Sequence, residues 1–398
     1  MISGLLGGLR VLDVSLLGAG ALAQQLADLG ADVVKVEAPS GDHVRASGSP
    51  MIDGVSLLHW HFNRGKRSIA LNLRDPNDVE RFLQLVAKAD VLIEGMRPGG
   101  LDRRGLTWER LTDANPRLVM CSISGFGSVG PLGNMAMHGM GFDSWATTLA
   151  PAYDEADNPI FPDNIVTTGA CVGPLWGAIG VLAGVIRARE TGCPARMEVA
   201  QADAGAAAMS LPLEAMLRAQ TMPRREPETP GPAVGLRDSV RYNFYRTADG
   251  IILVMMTERK FWENFCASID RTDLFERWPG GLEPDHDFGN EALRRILRDI
   301  FSERSSEDWV GLGLSADFPI IQAHTKATLL ADPHFKASMQ WIPRDQHPLD
   351  MLAIPIRVHG EDAVHLRRAP TVGEQGRQIL ADWLGPQTGA DQYEVSND

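Results

Sequence analysis

RVLDVSLLGAGALAQQLADLGADVVKVE, Arg10 to Glu37, divides into four pieces that decide the fold. Val11-Leu12-Asp13-Val14 reads as a buried strand, and a turn containing Gly18 and Gly20 follows. Leu22, Leu26 and Leu29 lie on one face of a helix, and Val33-Val34-Lys35-Val36 is a second, β-branched strand. Strand, helix and strand at this spacing make a βαβ unit, which implies a parallel sheet. Ligands of such sheets bind outside the carboxyl ends of the strands, where helix N-termini offer free N–H groups to phosphate. The Gly18-Ala19-Gly20 turn falls at that place but lacks the third glycine of the dinucleotide fingerprint. The motif alone leaves two readings open, a ligand cradle and a purely conformational turn.

A chain of 398 residues exceeds one small core and points to two domains. Its 44% hydrophobic and 22% charged residues are those of a soluble globular protein. The net charge of −13 argues against a generic nucleic-acid binder, which needs a basic surface, and leaves room for a local basic pocket. No apolar run reads as long enough to span a bilayer, and MISGLLGGLRVLD lacks the basic start and long apolar core of a signal peptide. A cytoplasmic protein with no membrane contact is expected. Cys121, Cys171, Cys193 and Cys266 show no metal-ligand spacing and read as free thiols, so no metal is expected.

Further along, Asn63-Arg64-Gly65-Lys66-Arg67 feeds a strand at Ser68 to Leu73. Three cations in four residues read either as an anion-binding loop or as a solvated basic turn. A helix from Asn77 to Lys88 and a strand at Val91-Leu92-Ile93 lead to a second cationic loop, with Arg97, Arg103 and Arg104. The two loops together favour a phosphate pocket. A strand from Leu118 to Ser124 runs into GFGSVGP, a turn suited to close backbone approach to a ligand. Met135, Met137, His138, Met140, Phe142 and Trp145 follow in an irregular segment, as an acyl-pocket lining or as core filler. Ala170 to Arg189 has the apolar density of a buried helix, and its glycines allow close packing. A strand at Met197 to Ala200 and a helix from Asp203 to Ala219 precede a linker at 221–236. A second unit begins near Arg241 with a hairpin that turns at Ala248-Asp249-Gly250.

In order along the chain, RVLD, LADLGADVVKVE, NRGKRSIALNL, ADVLIEGMRPGGLDRRGL, CSISGFGSVGP and YRTADG resemble the class III CoA-transferases. That family also holds carnitine-pathway CoA-transferases, formyl-CoA transferases and α-methylacyl-CoA racemases. The resemblance runs from Arg10 to the helix near Gly373-Glu374. It implies an α/β fold with a large Rossmann-like domain, whose parallel sheet is built from both chain ends, and a smaller inserted α+β domain. The expected divisions are 1–222, 237–330 and 331–398. It further implies an interlocked homodimer that binds coenzyme A, as an acyl-CoA substrate, at its interface. Leu71, Arg74 and Arg103 match the family's CoA contacts, with the turn after Val14 nearby. Gly95-Met96 stands where the family usually has Asn-Phe, and Ala38 where some members have arginine.

Family transferases carry an aspartate before the glycine-rich helix, whose carboxylate attacks the thioester. Racemases pair an aspartate there with a histidine for proton exchange. Counting back from Gly180-Val181-Leu182-Ala183 places that position on Gly169 or Ala170, and neither is a carboxylate. Four substitutes are available, each with a structural alternative. Asp163 sits one short loop upstream, or caps an Asp-Asn turn; Asp143 matches a pocket-bordering Tyr-Asp position, or is structural. His138 lies near the segment of the racemase histidine, or is an ordinary loop residue, and Glu258 is a racemase-type glutamate or a helix-start carboxylate. Gly125 and Gly127 belong to a turn whose N–H groups suit a thioester oxyanion. Three functions follow: CoA transfer between an acyl-CoA and a carboxylic acid, proton chemistry beside the thioester, or a non-catalytic subunit paired with an active paralogue.

Overall fold

The computed structural model describes residues 4–48, 50–221, 236–344, 347–360 and 365–385. Six strands form one parallel sheet: β1 Arg10–Val14, β2 Asp32–Glu37, β3 Arg67–Ala70, β4 Val91–Glu94, β5 Val119–Ser124 and β6 Ala195–Ala200. Their spatial order is 3-2-1-4-5-6, so the chain's direction of travel across the sheet reverses between β1 and β4. Leu12 of β1 pairs in register with Val34 of β2 and Leu92 of β4. Apolar residues face both ways because helices cover both sides of the sheet.

Helices α1 Gly20–Asp28, α2 Leu57–Asn63, α3 Pro76–Val86, α4 Trp108–Ala114, α5 Gly139–Trp145, α6 Thr168–Thr191 and α7 Gln201–Ala208 follow in chain order. One core joins Val11, Val33 and Ile93 to Leu22 and Leu26 of α1 and Val181 and Val185 of α6. On the opposite face, Leu12, Val34 and Leu92 meet Phe82 of α3, Leu111 of α4, and Ile379 and Trp383 of the C-terminal helix Gly376–Leu384.

Among the described residues, the sheet does not draw on both chain ends. All its strands come from residues 10–200, and the returning segment contributes two paired two-residue strands and the C-terminal helix. The physical reason lies in spacing: Ile379, Leu380 and Trp383 recur at a helical period, so this segment buries its apolar face as a helix. The chain divides into a unit of residues 1–210 with 339–398 and a unit of 211–338. Those boundaries differ from the expected 222 and 331, and most of the expected linker, 222–235, lies outside the described residues.

Within the second unit, β7 Tyr242–Arg246, β8 Ile251–Met255 and β9 Ile320–Gln322 form an antiparallel sheet. The β7–β8 turn is held by Gly250 N donating to Thr247 Oγ1 at 2.9 Å. Ile252, Val254, Trp262, Phe265, Phe301 and Trp309 form a core of this unit's own.

The basic turn at residues 63–67 is neither solvated nor open to an anion. Arg64 pairs with Asp28 at 2.6 Å, Lys66 with Asp13 at 2.7 Å, and Arg67 with Asp32 at 2.6 Å and Asp382 at 2.7 Å. Each cation meets a carboxylate on a neighbouring element and is buried there. Lys66 also donates to Gly20 O at 3.0 Å and Asn63 Oδ1 at 3.2 Å, so all three of its N–H groups have acceptors. Burial pushes the Lys66 ammonium below its ordinary pKa, and Asp13 opposes the shift.

Helix α6 corrects two expectations. It is long and apolar enough to cross a membrane by length and composition. It is also covered on only one face. Gly173, Gly177 and Gly184 let it approach α7, α1 and the sheet, where added Cβ atoms would lie 3.0 Å from Gln201 Cγ, 2.3 Å from Leu22 Cδ1 and 2.8 Å from Val119 Cγ1. Leu175, Trp176, Ile179 and Ile186 on its other side stay 47 to 60% exposed. The expected helix from Asp203 to Ala219 is instead α7 and a second helix, Ser210–Thr221, broken at Met209.

Two outcomes test this packing. Lys66→Met strands a buried Asp13 charge and is expected to lower unfolding free energy by about 3–5 kcal/mol in denaturant titration, whereas Asp13→Leu with Lys66→Met recovers most of the loss. His59 Nε2 lies 3.1 Å from Pro370 O and its Nδ1 lies 3.1 Å from Asn63 Nδ2, an arrangement that suits the neutral ring. Burial, with Arg45 beside it, pushes His59 down from 6.5 to about 4. The unfolded chain therefore takes up this proton first. Stability contributed by neutral His59 is complete above pH 6.5 and is lost as pH falls toward 4, at about 1.4 kcal/mol per pH unit. His59→Gln should flatten that slope in a pH series of unfolding midpoints.

Candidate functional site

β1, β4 and β5 end on the same edge of the sheet, and the loops that leave them meet. Leu16 to Ala19, Gly95 to Pro98 and Ser124 to Phe126 wall a cleft of about 280 Å³, completed by Met135 to Gly139, His43, Phe142, Ala170 and Gln201. The cleft thus opens where the strand order reverses, the place at which doubly wound sheets hold ligands. Its close fit depends on absent side chains. A Cβ on Gly95 would come within 2.8 Å of Ala19 Cβ and 3.0 Å of Ser15 Cβ. Gly127 holds φ at +70°, and its N–H donates to Ser124 Oγ at 3.1 Å, which shapes the turn after β5.

The structure brings together Gly95, Met96, Gly125 and His138 from the expected set, all in the cleft lining. Gly127 lies in the turn that continues from that lining. Arg74 and Arg103 lie elsewhere on the same edge, in a recess of about 430 Å³ shared with Arg104 and Arg110. Arg103 Nη1 donates to Pro98 O at 3.1 Å and Arg104 Nη1 to Gly100 O at 2.6 Å, so the β4 loop itself orients these cations. The side chains of Val14 and Leu71 are buried in the core, which leaves only their main chain to face a ligand.

The three candidate catalytic residues of the first unit, His138, Asp143 and Asp163, do not converge. His138 is exposed and lines the cleft. Asp143 is fully buried outside the lining, where its Oδ1 accepts from Gly169 N at 2.7 Å and Thr148 Oγ1 at 2.8 Å. It anchors the first turn of α6. Asp163 is exposed and absent from the lining. Glu258 belongs to the second unit, where it precedes helix Arg259–Ser268 and its Oε2 accepts from Thr257 Oγ1 at 3.0 Å.

Gln201 escaped the sequence reading. It lies between two alanines as the first residue of α7, and the residue is only 6% exposed, against the cleft. Its Oε1 is buried without a hydrogen-bond partner among the described residues. A Cβ on Gly18 would lie 3.4 Å from that oxygen and 3.7 Å from Ala170 Cβ, so Gln201 and Ala170 flank one corner. Arg97 and His43 add exposed nitrogen groups to the lining. Glu94, at the end of β4, is buried on the other face; burial raises its pKa against the Ser122 Oγ hydrogen bond at 2.7 Å.

Residues 6–376 match the model of CoA-transferase family III. The chain belongs to this family. It is 30% identical over 401 residues to an acetyl-CoA:oxalate CoA-transferase of Acetobacter aceti, covering 96% of each chain. It is 27% identical over 403 residues to a succinyl-CoA–L-malate CoA-transferase alpha subunit of Chloroflexus aurantiacus, covering 98% of this chain and 87% of that one. A CAIB/BAIF family protein from Brucella suis superposes with a TM-score of 0.77 at 28% identity, over 96% of this chain and 99% of that one.

The packing at Gly95 has a direct test. Gly95→Ala forces the β4 loop away from Ala19, with an expected stability loss of about 1–3 kcal/mol and weaker CoA-ester binding, measured by thermal unfolding and calorimetry.

Proposed function

We propose that this family III protein transfers CoA between an acyl-CoA and a carboxylic acid, without the carboxylate that family transferases place ahead of the glycine-rich helix. The observation that carries this reading is the cleft at the β1–β4 reversal, with an apolar wall of Met135, Met137, Phe126 and Phe142 and glycine turns on both sides. An acyl chain suits the apolar wall. In the turn after β5 the Gly127 N–H is taken by Ser124 Oγ, and the Gly125 N–H suits the oxyanion that forms when a thioester carbonyl is attacked. Arg74 and Arg103 suit the CoA phosphates, with the pantetheine arm running along Gly95 to Pro98.

A homodimer is part of the proposal. The uncovered apolar side of α6, with Leu175, Trp176 and Ile179, supports a second chain packed there. Four free cysteines, two of them exposed, support a reducing, cytoplasmic setting.

A second reading is a non-catalytic subunit of a heteromer. It is favoured by the position Gly169-Ala170, which has no carboxylate, and by the relative whose name makes it an alpha subunit.

Both readings are separated by incubating the purified protein in D2O with acetyl-CoA and succinyl-CoA, each with and without oxalate, glutarate or malate, followed by mass spectrometry. A new acyl-CoA is the expected product. Deuterium uptake without acyl exchange would replace transfer by proton chemistry at His138 or Glu258. Binding of CoA esters with neither outcome would leave the subunit reading.

A further inference from the structure

No aspartate or glutamate lines the cleft among the described residues. If CoA is transferred here, the oxygen nucleophile has to come from somewhere else. The corner at Gly18 has the groups to hold one. Within the first turn of the 24-residue helix α6, Gly169 N is taken by Asp143 and Cys171 N by Thr167 O. Ala170 N, between them, has no acceptor among the described residues, as expected of a helix's third position. The positive end of the helix dipole favours an anion there. Beside it stands the amide of Gln201, a residue only 6% exposed, with an orphaned atom facing the same corner. A half-turn about its last torsion exchanges oxygen for NH2, so the amide can present a donor. Asp143 lies behind the helix turn and its charge opposes an anion; Arg97 in the lining supplies a compensating cation.

We propose that the Gln201 and Ala170 corner holds the carboxylate of the acceptor acid, and that this carboxylate itself attacks the acyl thioester. The inference rests on the CoA-transfer reading above. In the first step an acceptor oxygen bonds to the thioester carbon, the C–S bond breaks, and CoA leaves as thiolate. The product is a mixed anhydride of the two acids. The thiolate then attacks the acceptor's carbonyl carbon, the anhydride C–O bond on that side breaks, and the donor acid departs carrying one oxygen from the acceptor. No proton, oxidant or protein carboxylate is consumed. Gln201 touches the substrate directly: it donates to one acceptor oxygen and leaves the other facing the thioester.

The experiment uses the full-length protein in excess over the first donor ester found active with oxalate, glutarate or malate, and that acceptor labelled with oxygen-18 in its carboxyl groups. After a single turnover, the released donor acid is expected to carry one heavy oxygen while the intact protein mass stays unchanged. An unlabelled donor acid, with the heavy oxygen retained on the protein, would overturn the inference and leave CoA transfer standing. Absence of any new acyl-CoA would instead remove the transfer reading and the inference with it. Gln201→Ala should raise KM for the acceptor about tenfold with KM for the acyl-CoA unchanged. Equal losses toward both substrates, with a lowered unfolding midpoint, would mark Gln201 as a packing residue only.

Discussion

The ion pair between Lys66 and Asp13 is the constraint on which the edge of the sheet depends. Lys66 lies just before β3, yet its ammonium reaches the carboxylate of β1, the first turn of α1 and the end of α2. Asp13 in turn accepts from Ser15 N at 2.9 Å and from the Ser15 hydroxyl. Two stretches far apart in sequence, residues 13–20 and 63–66, are thereby fixed around the β1–α1 turn. A buried pair of this kind is tolerable because every donor is satisfied, and breaking one side leaves a charge without water or partner. The neighbouring Lys35–Asp42 pair at 2.8 Å and Arg45–Glu37 pair at 2.7 Å extend the same network under β2. The floor of the cleft stands on this charged layer.

Above that floor, the cleft is shaped by close approach. Gly95 allows the β4 loop to touch Ala19, and Gly169 and Gly173 allow α6 to lie against Gln201. Space for a ligand arises because backbone can approach backbone at the walls, while Met and Phe side chains supply the apolar surface. Two chemical zones result on one sheet edge, an apolar cleft and an arginine recess. A CoA ester has the same division, with a charged nucleotide end and an acyl end.

Helix α6 joins this site to an exposed apolar surface. Its first turn contributes Ala170 to the cleft, its glycine ridge packs on α1, α7 and the sheet, and its remaining face is apolar and uncovered. An all-round apolar helix has two ways to satisfy itself, deep burial or a partner surface. Here one side has the first, and the other is available for the second.

The sequence by itself determined the βαβ start, the parallel sheet, the β7–β8 hairpin and the family, because hydrophobic period, glycine turns and motif order are local properties of the chain. That Gly169 and Ala170 carry no carboxylate is likewise plain from the sequence, since residue identity needs no coordinates. Tertiary structure alone decided what the cations at residues 64–67 do, because their carboxylate partners are Asp13, Asp28, Asp32 and Asp382 on other elements. The same holds for Val14 and Leu71, which sit at the right strand ends with their side chains in the core. Gln201 shows the limit most plainly. A single amide between two alanines has no periodicity and no motif; it becomes a candidate only when folding buries it at the corner shared with Gly18 and Ala170, with a polar atom left unpaired.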